Sequence, residues 1–222
     1  MTSGPEGSNE GGHAATRGPS RVAAFFDMDK TLIAENSGSV YMKQRFEDGE
    51  IDSWQLARAF WDYFQYKVGV LDILSWTRAM AQEFEGLPEE ELAQAGRSLF
   101  EKKVAQLVFP EARSCIRAHQ ERGHRVCIVS GSTRYMIEPV AEELNIDHMV
   151  YTQLETRDGI FTGQVTEPIC FEEGKIHLLQ EFIESESIDL ARSYGITLPL
   201  VELTRRTDQT VVGLENVMGE KA

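Results

Sequence analysis

The stretch that decides the fold reads Val22-Ala23-Ala24-Phe25-Phe26-Asp27-Met28-Asp29-Lys30-Thr31-Leu32-Ile33. Its first five residues form a short, unbroken apolar run, which is typical of a strand buried on both faces of a sheet. Asp27 and Asp29 follow at once, on the turn that leaves this strand. They can act as a nucleophile and a general acid/base that face one substrate, with a divalent cation between them. Aspartates also form turns and cap helices, so the spacing alone leaves both interpretations open.

Two further segments place polar groups near the ends of predicted elements. Residues 126–129 form a second apolar run, and Ser130-Gly131-Ser132-Thr133 follows it. This segment can cap the next helix, or it can offer a hydroxyl and backbone N–H groups to an anion. Lys175 lies at the start of a later helix, where the helix dipole disfavours a cation. It is therefore either an ordinary surface lysine or the partner of an anion.

The order of the predicted elements indicates an α/β fold with a parallel sheet. Strands and helices alternate after residue 108, and Asp158-Gly159 predicts a hairpin turn within residues 148–164. Parallel sheets of this kind have right-handed crossovers and bind ligands at the carboxyl ends of their strands. The segments that follow Phe26 and Val129 would both lie at such ends.

A helical segment separates the two parts of the predicted core, residues 21–37 and 108–222. Residues 38–107 show helical periodicity and no strand pattern, so we expect a helical insertion in the α/β core. Trp54, Ala57, Phe60, Trp61 and Phe64 fall on one face of a predicted helix, and we expect the four aromatic side chains to pack within this segment.

Composition limits the classes of function. The 222 residues carry a formal net charge of -14, which disfavours nucleic acids and anionic membranes as partners. No apolar run is long enough to cross a bilayer, and the N-terminus lacks the pattern of a signal peptide, so we expect a cytoplasmic protein. Residues 1–20 are poor in large apolar side chains and are expected to form a disordered tail. The three cysteines are too scattered for a disulfide framework and are expected to be buried, reduced thiols: Cys115, Cys127 and Cys170.

Together and in this order, the three polar segments resemble the motifs of the haloacid dehalogenase superfamily, in particular its phosphoserine-phosphatase-like hydrolases of subfamily IB. Residues 25–32 resemble the first motif, an apolar strand followed by Asp-x-Asp-x-Thr-Leu. Residues 128–133 and 171–175 resemble the second and third motifs. The resemblance covers residues 22–198, and it implies a Rossmann-like parallel sheet with a small helical cap between the first two motifs.

The resemblance also implies a role for each motif residue. Asp27 would attack phosphorus and form an aspartyl-phosphate, and Asp29 would protonate the leaving oxygen and then activate water. Ser130 and the Gly131 N–H would hold phosphate oxygens, while Lys175 would neutralise the phosphate and the nucleophile. Mg²⁺ would bind the Asp27 carboxylate and the Asp29 carbonyl. The substrate would be a small phosphorylated metabolite similar to phosphoserine.

Two departures from the family pattern bear on activity and substrate. The family's fourth motif supplies acidic Mg²⁺ ligands, but residues 194–199 read Tyr-Gly-Ile-Thr-Leu-Pro and contain no acid. We therefore expect a degenerate fourth motif and impaired activity, unless Glu202 or Asp208 substitutes. Asn36 occupies the position where phosphoserine phosphatases place an acidic residue for the substrate amine. Phosphoserine is consequently not favoured over another small phosphomonoester.

Three functions remain open on the sequence. The favoured one is a Mg²⁺-dependent phosphatase of small molecules. The second is an inactive or weakly active phosphate-binding protein that keeps Ser130 and Lys175. The third is an interaction module in which the cap aromatics form an exposed groove. The sequence does not fix the oligomeric state.

Overall fold

The computed structural model describes residues 21–196. The strands are β1 (Ala23–Phe26), β2 (Arg125–Thr133), β3 (His148–Arg157), β4 (Ile160–Thr166) and β5 (Tyr194–Ile196). The α-helices are α1 (Ser37–Glu47), α2 (Ser53–Lys67), α3 (Ile73–Gln82), α4 (Glu89–Leu99), α5 (Pro110–Glu121), α6 (Arg134–Leu144) and α7 (Glu172–Ser185). The elements on either side of the helical segment meet in one sheet.

The sheet has the strand order β4-β3-β2-β1-β5. Strand β1 is parallel to both β2 and β5, β2 is parallel to β3, and only β4 runs antiparallel. The predicted α/β fold with a mainly parallel sheet is confirmed. Because β1 and β2 are neighbours and parallel, their carboxyl ends lie at the same edge of the sheet.

Strand β1 is apolar throughout because both of its faces are covered. Ala24 and Phe26 belong to one hydrophobic cluster, which includes residues of α5 and α6. Ala23 and Phe25 belong to a second cluster on the other face, which includes residues of α7. All four side chains are completely buried. Alternate side chains of a strand point to opposite faces, so burial of both faces requires the unbroken apolar run seen in the sequence.

The predicted hairpin is also confirmed. Strands β3 and β4 pair antiparallel, and the two residues between them, Asp158 and Gly159, have φ angles of 52° and 75°. Two successive positive φ angles are what a two-residue type I′ turn requires, and Asp-Gly adopts them readily.

The segment that follows the first aspartates is helical. The regular elements of residues 37–107 are helices α1–α4, a π-helical turn (Phe100–Val104) and a 3-10 turn (Ala105–Leu107), and an isolated bridge joins Pro88 to Ile160 of β4. Residues of α3, α4, α6, β3 and β4 share a small hydrophobic cluster. This part of the described chain contains no strand.

One expectation for this segment is wrong. The aromatic side chains of α2 do not pack within it: Trp54 and Trp61 are 76% and 59% exposed, and Phe60 and Phe64 are also exposed. Helix α2 contacts α1, and the side that holds Tyr63 is half-buried. The apolar face therefore points to solvent. The expectation failed because helical periodicity predicts an apolar face but does not indicate which part of the protein covers it.

Two expectations from composition can be compared with the described residues. All three cysteines are free thiols; Cys127 and Cys170 are buried, whereas Cys115 is half-buried. Within residues 21–196, no helix has the length and apolarity that a membrane span requires.

Candidate active site

Asp27 lies at the carboxyl end of β1, the strand between β2 and β5. Its backbone N–H donates to the carbonyl oxygen of Ile196 at 3.1 Å, which ties it to β5. Its carboxylate is 28% exposed, and Oδ1 lies 3.6 Å from Nζ of Lys175. Burial raises the pKa of the Asp27 carboxyl, while the positive charge of Lys175 opposes that rise. The contact therefore favours the ionised form of an otherwise poorly hydrated carboxylate.

Lys175 reaches Asp27 from the first turn of α7. Its side chain is only 14% exposed. The backbone N–H of Lys175 donates to the carbonyl oxygen of Phe171 at 3.2 Å. A cation at this end of a helix is unfavourable for the helix dipole. The structure places an anion beside it, so Lys175 is not an ordinary surface lysine.

Asp29 is held by the beginning of α1. Its Oδ1 accepts the Ser37 N–H at 2.9 Å, and its Oδ2 accepts the Asn36 side-chain amide at 2.8 Å. Burial raises the pKa of the Asp29 carboxyl to about 6, although the hydrogen bonds from Ser37 act in the opposite direction. A carboxyl group that titrates near neutral pH can both give and take a proton.

The two aspartates thus occupy different environments. Asp27 is paired with a cation, whereas the Asp29 carboxylate accepts hydrogen bonds from the neutral groups of Asn36 and Ser37. Burial raises the pKa of both carboxyl groups, but only Asp27 has a lysine in direct contact that opposes the rise. Two carboxyl groups in different environments can divide into a nucleophile and an acid/base, and this arrangement is suited to that division.

The second polar segment continues β2 instead of forming a loop. Phe26 of β1 is paired with Ile128 of β2, so Asp27 and Ser130 lie at the same end of neighbouring strands. Ser130 is buried, and its Oγ accepts the Ser132 N–H at 3.2 Å. Thr133 is the N-cap residue of α6 but makes no capping hydrogen bond through its side chain. Helix capping therefore does not explain this segment.

Gly131 brings the second segment against the third. A Cβ atom at Gly131 would lie within 3 Å of three atoms of the Phe171 ring. Its carbonyl oxygen accepts the Thr152 hydroxyl at 2.8 Å, and the Thr152 Oγ1 in turn accepts the Cys170 N–H at 3.3 Å. A glycine is needed here because the residue before α7 packs directly on the backbone.

The structure places four of the five predicted site residues at one end of the sheet: Asp27 and Lys175 are in contact, and Ser130 and Gly131 lie on the strand beside Asp27. Asp29 lies two residues beyond Asp27, with its carboxylate turned to α1. Sequence reasoning missed the roles of Asn36 as a partner of Asp29 and of Thr152 as a bridge. Asparagine before a helix is a strong capping signal that could have located Asn36. A threonine within a strand carries no comparable signal.

The oxygen atoms of the two aspartates are the candidate ligands for the Mg²⁺ that the family resemblance implies. Among residues 21–196, no three His, Cys, Asp or Glu side chains converge closely enough to hold a metal ion. The Asp29 carboxylate is already engaged by two donors, which leaves the Asp27 carboxylate and the Asp29 carbonyl. Both are hard oxygen ligands of the type Mg²⁺ prefers, and this ion commonly keeps several waters and uses substrate phosphate as well. Glu202 and Asp208, the possible substitutes for the fourth-motif acids, lie outside the described residues.

Comparison with known proteins supports the motifs. A model of the family described as haloacid dehalogenase-like hydrolase matches residues 24–197. A probable phosphatase of Mycobacterium tuberculosis is 30% identical over 187 residues, and the match covers 82% of this chain and 64% of that relative. A histidinol-phosphatase of Neisseria meningitidis is 29% identical, with coverage of 78% and 79%. Phosphoserine phosphatase SerB1 of M. tuberculosis is 25% identical, with coverage of 77% and 57%. The chain thus spans less than two thirds of the length of both mycobacterial relatives.

A solved structure supports the fold. A protein of unknown function from Bordetella pertussis superposes with a TM-score of 0.71 at 22% identity, covering 83% of this chain and 87% of that one. The motifs, the sheet and the family match agree, and they confirm the resemblance drawn from the sequence, including its phosphoserine-phosphatase-like relatives. The chain belongs to the haloacid dehalogenase-like hydrolase family.

Proposed function

We propose that this protein is a Mg²⁺-dependent phosphatase that hydrolyses a small phosphomonoester through an aspartyl-phosphate intermediate. The observation that carries the proposal is the pair of aspartates after β1. Asp27 lies 3.6 Å from the Lys175 ammonium, while Asp29 is held separately by Asn36 and Ser37. One carboxylate is thereby prepared for attack and the other for proton transfer.

The proposed reaction has two steps. In the first, an Asp27 oxygen forms a bond to phosphorus, the bond from phosphorus to the ester oxygen breaks, and Asp29 gives its proton to that oxygen. In the second, Asp29 takes a proton from water as the water oxygen attacks phosphorus, and the bond to Asp27 breaks to release phosphate. Lys175, Ser130 and the Gly131 N–H would hold the phosphate oxygens. Mg²⁺, bound by the Asp27 carboxylate and the Asp29 carbonyl, would offset the charge between phosphate and nucleophile.

We propose a small phosphorylated metabolite as the substrate class. Phosphoserine and histidinol phosphate, the compounds named by two of the relatives, are both small phosphomonoesters. Asn36 stands where a carboxylate for the substrate amine would be expected in a phosphoserine phosphatase. Its amide donates to Asp29, and its Oδ1 accepts the Ser39 N–H and hydroxyl. Because this amide is engaged within the protein, phosphoserine is not favoured over other members of the class.

We also propose that the helical segment of residues 38–107 acts as a cap over this site. Tyr66 of α2 is half-buried, and the pKa of its phenol is raised by burial first, then by the charges of Tyr63, Glu172 and Asp27. This coupling supports a position of α2 near the site. A cap would exclude water during phosphoryl transfer.

Phosphate release from a panel of small phosphomonoesters, with and without Mg²⁺, tests the proposed activity. The wild type should release phosphate only with Mg²⁺, and Asp27→Asn should release none because an amide is a poor nucleophile of nearly equal shape. Asp147→Asn, at an exposed position, is the matched control and should behave as the wild type. Equal release by the wild type and Asp27→Asn would exclude the assigned nucleophile.

A second candidate is an inactive phosphate-binding protein. It is favoured by one observation, the lack of a third metal-binding carboxylate among the described residues. Calorimetry with inorganic phosphate separates the two: phosphate binding without release from any substrate would support this candidate. Release that depends on Asp27 would exclude it.

A further inference from the structure

The large apolar side chains of α2 form a surface that nothing in the described part of the chain covers. We call it the outer face of α2, and it continues into the two valines after the helix: Trp54, Phe60, Trp61, Phe64, Val68 and Val70. Trp61 stacks on Phe64 with ring centroids 5.6 Å apart. The helix is thus amphipathic with its apolar side outward.

The outer face is large for a monomer. Its exposed fractions range from 39% at Phe60 to 76% at Trp54, and a fully buried aromatic side chain contributes about 150–250 Å². The face therefore offers several hundred Å² of apolar surface, at the upper end of what monomers expose, which is about 300–600 Å². A standard protein interface buries about 800 Å² per partner. The outer face can supply most of one side of such an interface.

We propose that the outer face binds a second copy of this chain, with the two α2 helices antiparallel across a two-fold axis. The chain's net charge of -14 disfavours an anionic lipid surface or a nucleic acid. The six residues that define the outer face are all uncharged. At its edge, the side chains of Arg58 and Asp62 lie 4.0 Å apart and balance each other. A neutral apolar face has no charge that would complement a charged partner. It can bury its apolar surface against the same surface of a second copy.

The shape of the outer face fits self-pairing. Ala57 is exposed and lies one turn from both Trp54 and Trp61. It leaves a gap between two large rings, and across a two-fold axis each copy can place a Trp61 ring in the gap of the other. Each contact is then made twice, as an isologous interface requires. Tryptophan at the centre of an interface commonly contributes a large share of the binding energy.

Sedimentation velocity of the full chain over a wide concentration range tests this pairing. The wild type should show a concentration-dependent equilibrium between monomer and dimer, and Trp61→Glu should weaken the dimer at least about tenfold. Leu190→Glu is the matched control, since it adds the same charge at another exposed apolar residue, 38% exposed, and it should leave the dimer unchanged. Added salt should strengthen the dimer because it screens the repulsion between two acidic chains.

Four outcomes would overturn the proposal. The first is a wild type that stays monomeric at every concentration. The second is a dimer that Trp61→Glu does not weaken. The third is a dilute monomer in which acrylamide does not quench the fluorescence of Trp54 and Trp61. Residues of the same chain would then cover the face. The fourth is a monomer that binds vesicles of zwitterionic lipid, which would identify the occupant as a lipid surface.

Discussion

Asn36 joins the second aspartate to the first turn of α1. Its side-chain N–H donates to Asp29 Oδ2 at 2.8 Å, while its Oδ1 accepts the Ser39 N–H at 3.0 Å. One amide therefore caps the helix and orients the carboxylate. The position of the proposed acid/base depends on the start of a helix that belongs to the cap segment.

Replacing Asn36 should separate these two roles. Asn36→Ser keeps an oxygen that can cap α1 but loses the donor to Asp29, and losing a donor to the ionised form raises a carboxyl pKa. We expect the rate of phosphate release to fall about tenfold, its alkaline limb to move to higher pH, and the free energy of unfolding to change by less than about 0.5 kcal/mol. Asn36→Ala should cost about 1 kcal/mol more in stability through the lost cap. An unchanged pH profile in Asn36→Ser would contradict the orienting role.

The raised pKa of Asp29 predicts how stability depends on pH. The folded protein holds the Asp29 proton up to about pH 6, whereas an unfolded aspartic acid loses it near pH 3.8. This group therefore adds stability below about pH 3.8 and loses that contribution as pH rises through 6. Asp29→Asn removes the titration, so its Tm relative to the wild type should be higher at pH 8 than at pH 4. A difference in Tm that does not change with pH would show that burial does not raise the pKa of Asp29.

The fold could be predicted where a local pattern has one structural cause. Burial of both faces of β1 accounts for the run before Asp27, and the positive φ angles of Asp158 and Gly159 account for the hairpin. The positions of Asp27 and Ser130 followed from the rule that parallel strands end at one edge. These inferences needed only the sequence neighbours of each residue.

Other features depend on residues distant in sequence. The contact of Gly131 with Phe171 joins positions 40 apart, and no local pattern indicates it. The outward turn of Trp54 and Trp61 on α2 is decided by how the helix is placed on α1, which periodicity does not encode. Lys175 was recognisable as unusual from its place in the helix, but its partner required the fold.

The close approach of Gly131 to Phe171 predicts a rescue experiment. Gly131→Ala introduces a methyl group within 3 Å of the ring, which should cost about 1–3 kcal/mol in stability. It should also lower phosphate release, because Phe171 precedes the helix that carries Lys175. Phe171→Leu in the same chain should relieve the overlap, so the double variant should be more stable than the sum of the single effects predicts. Additive changes in the free energy of unfolding, measured with urea, would show that the two residues do not interact.

The site offers few protein ligands to Mg²⁺. The described residues provide the Asp27 carboxylate and the Asp29 carbonyl, but no third acidic ligand near them. One missing unit charge at about 4 Å is worth about 4 kcal/mol at an effective dielectric of 20, or about a thousandfold in affinity. We therefore expect weak Mg²⁺ binding to the free protein and binding at least about tenfold tighter with inorganic phosphate present, because phosphate oxygens can fill the remaining positions.

Calorimetry with Mg²⁺, in the presence and absence of phosphate, measures both affinities, and Asp27→Asn should reduce each. Tight binding to the free wild type would contradict the expectation and would require another ligand. Glu202→Gln and Asp208→Asn would be tested first, because these two are the acids nearest to the expected fourth motif among those that follow β5 in the sequence. If only one of these variants loses tight binding, the residue replaced in it is the additional Mg²⁺ ligand. That residue would then complete the Mg²⁺ site of the wild type.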